Sequence, residues 1–109
     1  MLAIVKVEHS NFKIMVSTAD AVTVRIPKRV DYAIAPHIID DLDKKMDKGD
    51  TVVLDFSQTR FIKPEMADIF LDAVVKAKQR NVRLALQGVK PDVKVILELG
   101  GVLEYFRRR

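Results

Sequence analysis

Residues 52–66 constrain this chain more than any other stretch. Val52, Leu54 and Phe56 alternate with Val53 and Asp55, the period of a strand with one apolar face. A loop, 57–63, leads from it to Pro64. From there Met66, Ile69, Phe70, Ala73, Val74 and Ala77 follow the i, i+3, i+4 spacing of an amphipathic helix. A strand that passes through a short loop into a helix is the first half of a strand-helix-strand unit, and it requires a strand to return to. Val82, Leu84 and Leu86, alternating with Arg83, Ala85 and Gln87, supply it.

The same reading extends to the rest of the chain. Phe12, Ile14 and Val16 predict a strand over 12–17, and Val22, Val24 and Ile26 predict another. Residues 2–8 read as a further strand that hairpins with 12–17. Ile34, Ile38, Leu42 and Met46 predict a helix over 33–48, with Pro36 in the first turn, where a missing N–H costs little. The helix after the first unit is predicted over 64–79, with Asn81 as its stop. A third, over 91–99, starts at Pro91-Asp92 and ends at Gly100-Gly101, leaving Leu103, Tyr105 and Phe106 as a short apolar tail.

Parallel pairing joined by helical crossovers follows from this order. Because each strand keeps one polar face, all helices are expected on the other. The expected fold is an α/β two-layer sandwich, a mixed but mostly parallel sheet of four to five strands with helices on one face. A chain of 109 residues, 49% hydrophobic, makes one domain with a core of its own. With strand 2–8 extending the opposite edge, strand 82–87 is expected at an exposed edge unless a partner covers it.

Composition removes several functions. There is no cysteine, hence no disulfide and no thiolate metal site. The N-terminus does not read as a signal peptide, and no apolar run approaches the roughly 20 residues of a membrane span. The expectation is a cytoplasmic protein without membrane insertion. His9 and His37 have no nucleophile or metal partner in sequence and read as solvated. Asp55 reads as a residue of the exposed strand face. No glycine-rich phosphate loop is present among the four glycines. No catalytic residue, cofactor or metal is therefore assigned, and no enzyme is expected.

What remains is a surface. The loops after the parallel strands carry Lys28, Arg29, Arg60, Lys63 and Lys90 against Asp31, Glu65 and Asp92. Such strand ends are where α/β sheets bind ligands. With a net charge of +4 but no basic helix or aromatic-basic stripe, nucleic acid is not the expected partner.

Residues 12–106 resemble the STAS domain, the family of anti-sigma factor antagonists and of the cytoplasmic domains of sulfate transporters. The segment 26–33, Ile-Pro-Lys-Arg-Val-Asp-Tyr-Ala, is similar to that family's turn into its first helix. Residues 53–62 are similar to its Leu-Asp-Leu-Ser-x-Val-x-Phe-Ile, and residues 89–106 to its closing helix and Gly-Leu-x-x-x-Phe. The resemblance implies a bacterial protein of signal transduction and transcription regulation that binds a protein partner, an anti-sigma factor, kinase-like protein or ATPase. It also implies that strand 2–8 is extra and that the family's last strand and C-terminal helix are absent.

In the family, Phe-Ile is followed by Asp-Ser-Ser-Gly, whose first Ser is phosphorylated by the partner. Matched residue by residue, Lys63 replaces the Asp, Pro64 the phosphoacceptor, Glu65 the second Ser and Met66 the Gly. No hydroxyl remains to be phosphorylated there. Glu65 has about half the charge of a phosphate and sits one position away, a poor mimic. Thr59 and Ser57 match structural positions. The expected partner-binding residues are Lys28, Arg29, Asp31, Arg60, Lys63, Pro64, Glu65 and Met66. Two alternatives stand beside this reading. One is a small STAS-type subunit of a larger assembly such as a lipid-transport ATPase complex; the other is an anionic ligand or nucleic-acid binder using the basic loops.

Overall fold

The computed structural model describes residues 21–47 and 51–107. Three strands, β1 (Ala21–Arg25), β3 (Thr51–Asp55) and β5 (Arg83–Gln87), form a parallel sheet in the order β1-β3-β5. Register aligns Val22 with Val52 and Leu84, and Val24 with Leu54 and Leu86. The connections are α1 (Ala35–Met46) and α2 (Ala67–Gln79); α3 (Pro91–Leu99) and α4 (Val102–Arg107) follow β5. The predicted hairpin of 2–8 with 12–17 lies outside the described residues.

The core joins one face of the sheet to every helix. Val24, Ile26, Val52, Leu54, Phe56, Leu84 and Leu86 pack with Ile38, Leu42 and Met46 of α1, the predicted face of α2, Val93 and Leu97 of α3, and Val102, Leu103 and Phe106 of α4. Phe56 meets Phe70 edge-on at 5.2 Å, a favoured aromatic geometry. The one-sided arrangement read from the alternating strands is thus the one formed.

Several expectations are corrected. The polar-looking sheet face is not solvated along the central strand: Thr51, Val53 and Asp55 are 4%, 6% and 7% exposed, and Ala85 is 0% exposed. Alternation along these strands marks polarity without marking exposure. Asp55 is accordingly a buried residue. β5 stands at the end of the described sheet, the edge position expected, although the side chains of Leu84, Ala85 and Leu86 are fully buried.

The helix starts are also later than predicted. Asp31 ties up the N–H groups of Ala33 and Ile34, delaying α1 to Ala35. Residues Pro64–Met66 form a 3-10 turn, with the Met66 N–H on the Lys63 carbonyl at 2.7 Å, before α2 begins at Ala67. Asn81 ends α2 as predicted, at φ 58, with the Val82 N–H reaching back to the Ala77 carbonyl at 2.8 Å. The tail is α4, since Val102, Leu103 and Phe106 bury at helical spacing once Gly101, at φ 82, has turned the chain.

Candidate functional site

The loops beyond the C-terminal ends of β1, β3 and β5 are stitched into one rim. The ladder continues past the strands, with the Ile26 N–H on the Asp55 carbonyl and the Phe56 N–H on that of Gln87, at 2.9 and 2.8 Å. Asp55 then turns the chain by accepting from the Ser57 N–H at 2.9 Å. The Ile26 carbonyl accepts from both Thr59 Oγ1 and Gln58 Nε2, each at 3.0 Å. Thr59 is completely buried, a structural hydroxyl as expected. Lys90 Nζ donates to the Ser57 carbonyl. Gly88, at φ 69, passes so close to Ser57 that a Cβ there would lie 2.8 Å from the Ser57 Cα.

A short pairing missed in sequence aligns the functional residues. β2 (Arg29–Val30) runs parallel to β4 (Phe61–Ile62), with Arg29 opposite Phe61. The N–H groups of Arg60 and Phe61 both reach the Lys28 carbonyl, and that of Lys63 reaches Val30 at 2.9 Å. Two residues per strand are too few for any periodicity to register. The pairing carries Arg29, Phe61, Lys63 and the Pro64–Met66 turn onto one surface.

On that surface the Arg29 guanidinium lies over the Phe61 ring, 4.7 Å from its centroid, and Lys63 Nζ lies 5.6 Å from that of Tyr32. Arg29 Nε is 3.9 Å from Asp31 Oδ2. Tyr32 and Phe61, 60% and 40% exposed, were not among the expected site residues. Phe61 carried a signal in sequence, an aromatic next to Arg60, whereas Tyr32, between Asp31 and Ala33, carried none.

The expected residues divide. Lys28, Arg29, Arg60, Pro64 and Glu65 are exposed and Lys63 half-buried. Asp31 closes the turn ahead of α1, since its Oδ1 accepts from Ala33 and Ile34 at 3.1 and 3.3 Å. Met66 is corrected: it is buried, its side chain part of the core beneath the turn and out of a partner's reach. Beside Tyr32 an open groove of about 490 Å³ continues along α1 past Ala35, Pro36 and Ile39, walled by Asp40, Asp43 and Lys76.

The buried acid of the rim, Asp55, is engaged by its own turn, and the Thr59 hydroxyl donates to a backbone carbonyl. Among the described residues no group of three His, Asp or Glu side chains is placed to hold a metal ion. No described helix is long and apolar enough to cross a membrane.

Comparison with curated protein sequences finds no match. Among solved structures the fold is similar to that of the anti-sigma factor antagonist SpoIIAA in its unphosphorylated form, with a TM-score of 0.65 and 16% identity over 83% of this chain and 80% of that one. A sequence profile of the STAS domain matches residues 13–109. The chain belongs to the STAS domain family.

Proposed function

We propose that this protein is a non-enzymatic regulatory module that docks a protein partner through the turn 63–65 and the adjoining loops, without phosphorylation of that turn. The observation that carries the reading is the turn itself. Lys63, Pro64 and Glu65 lie at the surface where α2 starts, beside a rim of cations and aromatic rings, and residues 63–66 contain no hydroxyl. Control then comes from partner abundance or occupancy, and the partner is an anti-sigma factor-like or ATPase-type protein of the bacterial cytoplasm.

A photo-crosslinking residue at position 65, in place of exposed Glu65, tests this in a bacterial lysate. One protein should be captured whether or not ATP is present. The Lys63→Asp/Pro64→Ser variant, which restores an acceptor, should become ATP-sensitive. Capture from position 99 but never from position 65 would sink the reading.

That outcome would favour a second one, a subunit of a larger assembly docked by α3. Val95 and Leu99 stand one helical turn apart on that helix, 52% and 81% exposed, an apolar pair that suits a permanent contact.

A further inference from the structure

We infer that the partner segment gripped by this rim is acidic, and that Arg29 and Lys63 are the residues that read it. The inference rests on the docking reading above and adds the chemistry of the partner. Five cations occupy the three loops, and they are not equivalent. Lys90 is committed to the Ser57 carbonyl. Lys28 and Arg60 are exposed. Arg29 and Lys63 differ from these because each is held against an aromatic ring.

Stacking sets a cation in place without neutralising it. A guanidinium over a ring face keeps its N–H donors in its own plane, directed sideways, where a carboxylate can take two of them. The competing acid inside the chain is weak. Asp31 Oδ1 already accepts from two backbone N–H groups, and its Oδ2 is 3.9 Å from an Arg29 side chain that is 68% exposed. Such an exposed pair holds little energy and yields readily to a better-placed carboxylate. Around the charges, Phe61 and Tyr32 offer half-exposed apolar area that a partner would cover. Arginine and tyrosine at the centre of a contact are the residue types that carry most binding energy.

The arrangement suits discrete carboxylates better than a nucleic-acid backbone. A phosphate chain favours an unbroken cationic track with ring faces open for bases. Here Asp31 and Glu65 interrupt the cations, and each ring already has a cation over one face.

The test is an amide-resonance titration of the full chain with three probes: a hexaglutamate peptide, a hexalysine peptide and an oligothymidine. Hexaglutamate should shift Arg29, Tyr32, Phe61 and Lys63, about tenfold more tightly than either other probe. Raising NaCl from about 50 to about 300 mM should weaken it several-fold. Arg29→Met/Lys63→Met, which keeps the apolar stems, should abolish the shifts while its spectrum stays dispersed, and Lys63→Arg should keep them. The inference is overturned by absent rim shifts, by shifts that survive the Met substitutions, or by tighter binding of oligothymidine. If crosslinking from position 65 captures a partner while hexaglutamate leaves the rim untouched, the docking reading survives and the acidic partner does not.

Discussion

The two crossover helices begin in opposite ways. At α1 a side chain closes the turn: Asp31 accepts from Ala33 and Ile34 through Oδ1 and from Ala35 through its carbonyl. At α2 no side chain caps the start. Lys63 holds the cap position of the 3-10 turn that leads into it, with extended backbone, φ −60 and ψ 128, and its ammonium lies over Tyr32 instead. What fastens α2 lies elsewhere. Its first residue, Ala67, is pinned from behind by Gly100 at the end of α3, and its far end is tied to α1 by Arg80. A helix held from behind and at its end can leave its first turn to the surface.

The largest effect expected from breaking this contrast is at Gly100. A Cβ there would lie 2.6 Å from the Ala67 Cβ. Gly100 has φ −81, so alanine brings no backbone strain and the result reads steric crowding alone. Gly100→Ala should cost about 1–3 kcal/mol, seen as a lower urea midpoint at unchanged slope. Adding Ala67→Gly should recover part of that loss, even though glycine in a helix itself costs up to about 1 kcal/mol. Additive losses in the double variant would show that α2 is not held from behind.

Next in size is the turn that Asp31 closes ahead of α1. Asp31→Ala should cost about 1 kcal/mol, and Asp31→Asn, which keeps an acceptor oxygen, much less. Equal losses for the two would mean that the carboxylate acts through Arg29 and not through the turn. Binding of an acidic probe should change in the other direction, because removing Asp31 frees the Arg29 donors.

How far the sequence revealed this contrast depended on how long each signal was. α2 showed itself through six apolar positions in register, and β1, β3 and β5 through alternation over five or six residues each. Asn81 marked its stop because few residues other than glycine tolerate positive φ. The β2–β4 pairing was invisible, being two residues per strand, and with it went the alignment of Arg29 with Phe61. Asp31 was legible as a loop acid but not as the residue that closes the turn, since that depends on the path of the next three residues. Met66 was placed on the surface because a family position was carried over, while its own periodicity already put it on the buried face. The burial of Asp55 and Ala85 was not legible, because alternation records the polarity of side chains and not their exposure.

A smaller effect, with two signs, is expected from giving α2 the cap it lacks. Lys63→Asp places an acceptor at a backbone suited to a cap and an acid near the helix dipole, together about 0.5–1 kcal/mol of stabilisation. Loss of the Lys63–Tyr32 contact offsets roughly half of it, since an exposed contact of this kind is worth about 0.5 kcal/mol. The net should be a gain of a few tenths in thermal or urea unfolding, with weaker capture of an acidic probe. Stability that rises while binding falls would show that the uncapped start is a functional compromise. A loss in both would mean Lys63 holds the turn together.

The smallest effect lies at the other end of α2, and pH isolates it. Arg80 Nη2 is 2.6 Å from Asp43 Oδ1, and its Nη1 reaches Asp47 at 3.3 Å. The hydrogen bond and then the charge of Arg80 hold the Asp43 carboxyl below its ordinary value, while Arg80 is raised and stays protonated throughout. A carboxyl depressed on folding stabilises the native state fully above its unfolded pKa, about 4, and ceases to do so as pH falls through the lower folded value. Arg80→Gln should therefore be less stable than the wild type near neutrality, by a margin that narrows in acid. Both groups are exposed, so salt should narrow the margin as well. If the margin is unchanged in acid and in salt, Arg80 fastens α2 through its bond to the Asp43 carbonyl, at 3.3 Å, and not through charge. Either way the tie is to α1, the helix whose own start is closed, so the open start of α2 is held in place by the closed helix beside it.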